Sequence, residues 1–274
     1  MAIETPWIAN PSATSDVAMR LFCLPYAGGA ASIFYTWAKR FAAGVQLCPI
    51  ELPGRGTRLQ EPLRTSLDGL VEDLADAIGP YLDVPYAMLG HSMGATIAVR
   101  LALCLERMRL PRPKRLFLMG ARPPHLPRPK PWLHQLDDAE LADRLRSFGG
   151  TPEPVLQHPE LMGLLLPILR ADFQLIETFS LPSIQPLASP ISGAAGEDDT
   201  EVSHQEMELW REYTRAEFVL RSYPGNHFFP WTCTDEVIRD LGRSLKGEGC
   251  PGTRSRPNQA KRRSGTERPC DAEQ

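Results

Sequence analysis

Short apolar runs alternate with amphipathic stretches along most of this chain. Runs with the length and apolar content of buried strands lie at 20–24, 45–50, 86–89, 115–119, 190–195 and 218–223. Between them, apolar residues recur at helical spacing, as at Leu67, Leu70, Val71 and Leu74. Alternating strands and helices predict an α/β fold, with a mostly parallel sheet that helices cover on both faces.

The alternation is interrupted between about residues 125 and 182. Pro and basic side chains are frequent in 125–135, and two helical patterns then follow with no strand between them. The second pattern, from Glu160 to about Phe179, is strongly apolar. We interpret 125–182 as a helical lid insertion over the carboxyl edge of the sheet, which lines a substrate channel. A helical subdomain that only packs on the core would show the same pattern, so that alternative stays open.

The rest of the sequence fits one domain, residues 1–246, followed by a tail. Apolar residues make up 42% of the 274 positions, which is enough for one α/β core. Residues 247–274 have no hydrophobic periodicity and are rich in Gly, Pro, Ser and basic side chains. This composition predicts a disordered basic tail.

Charge and cysteine usage exclude several classes of protein. The net charge of −3 gives no indication of a nucleic-acid partner. No apolar run reaches the ~18 residues of a membrane span, and residues 1–16 lack the features of a signal peptide, so we expect a cytoplasmic protein without a membrane partner. The six cysteines form no Cys-x-x-Cys pair and no metal-ligand spacing with histidine. We therefore expect reduced thiols, no metal and no cofactor.

The most informative motif is Gly-His-Ser-Met-Gly at 90–94. It lies between an apolar strand and a helical pattern, the context of a nucleophile elbow, which holds a serine in a strained turn with its hydroxyl exposed. A Cβ at either flanking glycine would collide with the neighbouring strand or helix. We interpret Ser92 as a nucleophile. An ordinary serine in a glycine-rich turn has the same pentapeptide, so the interpretation depends on the flanking elements.

A second segment of small residues, Pro-Tyr-Ala-Gly-Gly-Ala-Ala-Ser at 25–32, follows the first strand. In hydrolases with an elbow, one oxyanion-hole amide comes from the loop after an early strand and the other from the residue after the nucleophile. Ala27 and Met93 are therefore the predicted pair. A phosphate-binding loop is the alternative, but neither common glycine signature for phosphate is present.

His227 is the predicted catalytic base, because it follows the last strand directly. Of the other histidines, His91 lies inside the elbow, and the rest fall in the predicted lid or on a surface helix: His125, His134, His158 and His204. For the acid that orients the base, Asp198 and Asp199 compete in the acidic turn after 190–195. The spacing Gly-x-x-Asp-x-x-Val favours Asp199, with Asp198 as the alternative. The order Ser, Asp, His along the chain is that of the α/β-hydrolases.

The loop after the second strand carries three charged side chains, Arg55, Arg58 and Glu61. They can pair to fix the loop or contact a ligand, and we favour pairing because loop arginines commonly have that use.

These segments resemble the type II (external, editing) thioesterases that accompany polyketide synthases and non-ribosomal peptide synthetases, which have the α/β-hydrolase fold. The resemblance covers about residues 20–245. The segments of this chain that match the family are 22–29, 52–55, Arg58 with 61–62, 90–94, 160–162, 166–172 and 227–229. Arg-Ala-Asp at 170–172 is more specific than the serine motif. The chain departs from the family at Asn226, where a glycine is usual, and in its basic tail.

The resemblance implies the same triad and oxyanion-hole residues that the pattern predicts. It also implies a monomer that removes aberrant acyl groups from the phosphopantetheine arms of carrier proteins. Carrier surfaces in this family are mainly acidic, so Arg122, Arg128 and Lys130, near the lid border, are candidates to meet one. Solvated loop charges are the alternative for these three residues.

Three other functions stay open. A thioesterase that releases medium-chain fatty acids from acyl carrier protein would share every motif. A carboxylesterase would share the triad but not the Arg-Ala-Asp element. A carrier-binding protein without enzymatic activity would have no need of the triad.

Overall fold

The computed structural model describes residues 3–14, 16–181 and 183–247. Six strands form one sheet: β1 (Met19–Leu24), β2 (Val45–Pro49), β3 (Tyr86–His91), β4 (Leu116–Met119), β5 (Ile191–Gly196) and β6 (Phe218–Tyr223). Their order is β2-β1-β3-β4-β5-β6, and every neighbouring pair is parallel. All six predicted strands are present, with ends that differ by two residues or fewer.

Helices connect the strands. The α-helices of the described residues are α1 (Leu67–Ile78), α2 (Met93–Arg107), α3 (Asp138–Phe148), α4 (Glu153–Leu156), α5 (Pro159–Glu177), α6 (His204–Glu208), α7 (Phe229–Thr232) and α8 (Thr234–Leu245). The segment after β1, where the pattern predicts a helix, forms a 3₁₀ helix at Ala31–Arg40. Ser66 caps α1 by accepting a hydrogen bond from the Gly69 amide.

The core lies on both faces of the sheet, because successive strand side chains point to opposite sides. In β1, Phe22 and Leu24 pack on the side of α1 and α2, whereas Leu21 and Cys23 pack on the side of α8. All four side chains are fully buried. This arrangement confirms the predicted α/β fold with a doubly covered parallel sheet.

The segment between β4 and β5 is helical, and no strand of the sheet lies in its described part, 120–181 and 183–190. Asp137 forms a capping box with Glu140 at the start of α3, and Gly149, at φ +73°, ends that helix. Pro159 is the first residue of α5, where its missing N–H costs nothing. In the described part of this segment, the chain leaves the sheet after β4 and returns to it through a 3₁₀ helix at Leu133–Gln135 and the α-helices α3, α4 and α5.

No helix within the described ranges is long and apolar enough to cross a membrane. The predicted disordered tail, 247–274, lies outside the described residues except for Gly247.

Candidate active site

Ser92 occupies the sharp turn between β3 and α2. Its backbone has φ 53° and ψ −116°, a strained conformation for a residue with a side chain. The two glycines permit this turn. A Cβ on Gly90 would lie 2.2 Å from the Gly94 carbonyl oxygen, and a Cβ on Gly94 would lie 2.2 Å from the Leu24 carbonyl oxygen. The predicted collisions are thus confirmed, and the elbow requires both glycines.

Asp199 and His227 meet beyond the ends of β5 and β6. The Nδ1 atom of His227 lies 2.8 Å from Oδ2 of Asp199, whose side chain is fully buried. The other carboxylate oxygen, Oδ1, accepts hydrogen bonds from the amides of Glu201 and Val202, at 2.8 and 3.1 Å. A carboxylate fixed in this way selects the tautomer with the proton on Nδ1 and leaves Nε2 as an acceptor. Ser92 and His227 line the same cavity.

Asp198, the alternative acid, is exposed. Its amide donates to the Gly225 carbonyl oxygen at 2.9 Å. The next residue, Asp199, is the one that contacts His227. The turn therefore brings Asp199 to the base and directs Asp198 to solvent.

The loop at Ala27 has one free amide next to two that are engaged. The Gly28 amide donates to Oδ2 of Asp172 at 2.7 Å, and the Gly29 amide donates to the Tyr26 carbonyl oxygen at 2.9 Å. No hydrogen bond among the described residues uses the Ala27 amide. Met93, the first residue of α2, also has an amide without an intrahelical acceptor. An oxyanion hole requires two such amides near the nucleophile, and Met93 follows Ser92 directly while Ala27 lines the same cavity as Ser92.

His91 has a role that the sequence pattern did not indicate. Its ring is buried, and Nε2 donates to the carbonyl oxygen of His227 at 2.8 Å. Burial, and next the proximity of His227, hold the pKa of His91 well below its ordinary value, so the ring is neutral. His91 thereby ties the elbow to the loop that carries the base.

Asp172, in α5, anchors the lid to the loop that carries Ala27. Its carboxylate accepts two hydrogen bonds from Arg55, at 2.6 and 2.7 Å, in addition to the one from Gly28. Arg55 also donates to the Gly29 carbonyl oxygen at 3.3 Å. Both side chains of the pair are buried. The Arg-Ala-Asp element therefore has a physical explanation, because its aspartate binds the Gly28 amide and holds Arg55, which donates to the Gly29 carbonyl oxygen.

The sequence pattern allowed Arg55, Arg58 and Glu61 to pair with one another. Arg58 and Glu61 do so, through two hydrogen bonds of 2.7 and 2.6 Å. Arg55 instead contacts Asp172, which lies 117 residues further along the chain.

We expect Asp172→Asn to lower the free energy of unfolding by about 3–5 kcal/mol, because it leaves the Arg55 guanidinium buried without a counter-charge. Denaturant unfolding measures this change. The control is Asp73→Asn, which breaks an ion pair with Arg64 in which both side chains are about half exposed. It should change the free energy of unfolding by less than about 1 kcal/mol.

The double variant Arg55→Met with Asp172→Leu separates folding from positioning. Its stability should recover, since apolar residues can replace a buried ion pair at little cost. Its kcat should be lower than that of the unaltered enzyme, because Gly28 loses its acceptor and the loop around Ala27 loses its anchor. Recovery of both quantities would show that the pair contributes only to folding.

A cavity of about 650 Å³ opens at Ser92 and His227. The lid helix α5 lines it with Leu169, Phe173 and Ile176, which lie on one helical face. Leu161 and Leu164, nearer the start of α5, point outward and are 43% and 63% exposed. The part of the cavity wall that α5 supplies is therefore apolar and is formed by the second half of the helix. A volume of this size is typical of small-molecule sites.

Comparisons with known proteins agree with this geometry. A family model described as the thioesterase domain matches residues 19–245. The gramicidin S biosynthesis protein GrsT of Aneurinibacillus migulanus is 41% identical over 240 residues, which cover 88% of this chain and 94% of GrsT.

Two solved structures are similar over nearly the whole chain. RedJ, a thioesterase from the prodiginine biosynthetic pathway in Streptomyces coelicolor, has a TM-score of 0.80 and 35% identity, and the match covers 89% of this chain and 91% of RedJ. BorB, the type II thioesterase from the borrelidin biosynthetic cluster, has a TM-score of 0.78 and 30% identity, over 87% of this chain and 96% of BorB. Because the family match includes every strand of the sheet and the serine elbow, the chain belongs to the thioesterase domain family, a group of thioester hydrolases with the α/β-hydrolase fold.

Proposed function

We propose that this chain is a type II thioesterase, which hydrolyses acyl thioesters on the phosphopantetheine arms of carrier proteins and removes aberrant acyl groups from polyketide synthase or non-ribosomal peptide synthetase modules. The observation that carries the proposal is the strained elbow at Ser92, which opens into the same cavity as His227. GrsT, RedJ and BorB, named after antibiotic or other biosynthetic pathways, support the pathway assignment.

The proposed mechanism uses five residues. His227, oriented by Asp199, takes the hydroxyl proton of Ser92 as the oxygen attacks the thioester carbonyl. The amides of Ala27 and Met93 stabilise the oxyanion of the tetrahedral intermediate. The thiol of the arm leaves with the proton from His227. Water, activated by the same histidine, then hydrolyses the acyl-enzyme and releases the acid.

We further propose that the enzyme acts as a monomer in the cytoplasm. One chain supplies all the groups of the mechanism, so no second copy is needed to complete the site. The four cysteines of the described residues, Cys23, Cys48, Cys104 and Cys233, are free, which fits a reducing compartment.

The basic residues predicted to meet an acidic carrier differ in their surroundings. Arg122 is paired with Glu206 at 2.7 Å, and Arg128 is partly buried in the cavity wall. Lys130 is exposed at the cavity border, with its ammonium 5.1 Å from the centre of the Trp132 ring. Of the three, Lys130 is therefore the one suited to a carrier surface.

Carrier loading is expected to raise kcat/KM by at least about tenfold over the same acyl group on N-acetylcysteamine, because charge complementarity increases the association rate. Added salt should reduce this ratio. Lys130→Glu should lower it, whereas the control Lys114→Glu should not, since the exposed Lys114 precedes β4 at the opposite end of the sheet. Equal efficiency on both substrates, with faster cleavage of oxygen esters, would identify a carboxylesterase. A preference confined to medium-chain acyl groups on a fatty-acid carrier would identify a thioesterase that releases medium-chain fatty acids from acyl carrier protein.

A further inference from the structure

Arg128 carries the one charge in the wall of the active-site cavity that no described residue pairs with or binds. Its Nε atom is shielded from solvent and has no hydrogen-bond partner, and none of the described hydrogen bonds or ion pairs uses the rest of its guanidinium. The other charged side chains of the cavity wall have partners, as the following contacts show: Arg122 with Glu206, Arg144 with Glu201, Asp143 with Arg146, Glu177 with His134, Glu140 with the Asp137 amide, and Lys130 over Trp132.

Two carboxylates, Glu177 and Glu206, are close enough for their charges to favour the ionised form of Arg128, but both are already engaged by other residues. Glu177 accepts hydrogen bonds from the amides of Leu133 and His134 and contacts the His134 ring. Glu206 is paired with Arg122 and accepts from Ser203. Burial, and next the like charge of Arg122, lower the pKa of Arg128 to about 10, so the guanidinium stays charged at neutral pH.

The Nε–H group of Arg128 is a hydrogen-bond donor, and leaving it without a partner while it is shielded from solvent costs free energy. A charged group that is shielded from solvent and lacks a close partner does not by itself stabilise the fold. A buried donor without a partner calls for an explanation, and a ligand that it binds is one such explanation. Arg128 lines the same cavity as Ser92 and His227, in which the proposed function places the thioester.

We propose that Arg128 binds an oxyanion of the thioester substrate, either a carboxylate within the acyl group or the phosphate of the phosphopantetheine arm. Both present two oxygens to the planar fork of a guanidinium, which is the geometry that arginine binds best. The inference rests on the proposed thioester hydrolysis and adds a specificity residue to it.

Four substrates distinguish the two sources of the oxyanion: the butyryl and succinyl thioesters of pantetheine and of 4′-phosphopantetheine. Butyryl-pantetheine has neither oxyanion and serves as the reference. In Arg128→Met, the ratio of kcat/KM for an oxyanion-bearing substrate to that for the reference should fall about 10- to 100-fold, the equivalent of a lost charged hydrogen bond. A fall confined to the succinyl compounds assigns the acyl carboxylate. A fall confined to the phosphorylated compounds assigns the arm.

Arg144→Met is the matched control. It removes the same charge from the same cavity wall, but from a side chain that is 47% exposed and lies 3.6 Å from Glu201. It should leave each kcat/KM ratio within about twofold of the ratio for the unaltered enzyme, as expected for an exposed ion pair. Arg128→Lys, which keeps the charge and loses the fork, should give an intermediate ratio, and this ratio decides the question if Arg128→Met does not fold.

Melting temperature gives a second readout. Removal of an unsatisfied buried charge should leave the melting temperature of Arg128→Met unchanged or raise it. Unchanged substrate ratios in both Arg128 variants would overturn the proposal, and a lower melting temperature with those ratios would assign Arg128 a structural role. Absence of butyryl-pantetheine hydrolysis by the unaltered enzyme would instead count against the proposed function.

Discussion

Ser92→Ala is expected to lower kcat for acyl thioesters by about 10⁵- to 10⁶-fold, because it removes the nucleophile. The oxyanion hole and the cavity remain, so about 10³- to 10⁴-fold acceleration over the reaction in water should persist. The hydroxyl contributes no core volume, and alanine has the same Cβ at the strained turn. Release of free thiol measures the rate, and the melting temperature should stay unchanged.

Ser147→Ala is the control for this experiment. Its hydroxyl is exposed and donates to the Arg144 carbonyl oxygen, so the substitution also removes one serine hydroxyl, on the lid. It should leave kcat within about twofold, the usual result for an exposed polar residue. If Ser92→Ala kept more than a tenth of the activity, Ser92 would not be the nucleophile.

The strands were predictable because a parallel sheet covered on both faces needs continuous apolar runs. The elbow was predictable for a related reason: a serine at positive φ between a strand and a helix needs glycine where the backbones meet. Both features leave a signal within a few consecutive residues of the sequence. Gly90 and Gly94 meet each other and Leu24, and these contacts exclude any side chain.

Contacts between distant segments were not predictable from the pattern. Arg55 had a nearby carboxylate at Glu61, and the sequence pattern favoured pairing within that loop. The structure pairs Arg55 with Asp172 on the lid helix, because that helix lies across the loop that carries Gly28. Similarly, the hydrogen bond of His91 to the His227 carbonyl oxygen depends on where β3 and β6 end. The Arg-Ala-Asp element was the available signal for the first contact.

The rotation of α5 about its axis explains why only some of its apolar residues line the cavity. The apolar density of α5 indicated a lid that contacts substrate, but an apolar residue on a helix can face the cavity, the core or solvent. Phe173 lines the cavity, Leu175 is buried in the core and Leu164 is exposed. Which face meets the cavity depends on how Asp172 fixes the helix to the loop below it.

Asp199→Asn is expected to lower kcat by about 10⁴-fold near neutral pH, whereas Asp198→Asn should change it by less than about threefold. An asparagine at 199 can still accept from the amides of Glu201 and Val202, so the turn should keep its shape. Its NH₂ group, however, would donate to Nδ1 of His227. That contact selects the tautomer with the proton on Nε2, which cannot accept the proton of Ser92.

The two variants are closely matched, because each removes one negative charge from adjacent positions of the same turn. Asp198 is exposed, and the hydrogen bond from its amide to the Gly225 carbonyl oxygen does not depend on its side chain. Measurement of kcat for both, with melting temperature as the check on folding, therefore isolates the contact with His227. A larger loss of kcat in Asp198→Asn than in Asp199→Asn would identify Asp198 as the acid that orients His227. Equal, small effects would show that His227 is oriented by its backbone contacts, including the one from His91.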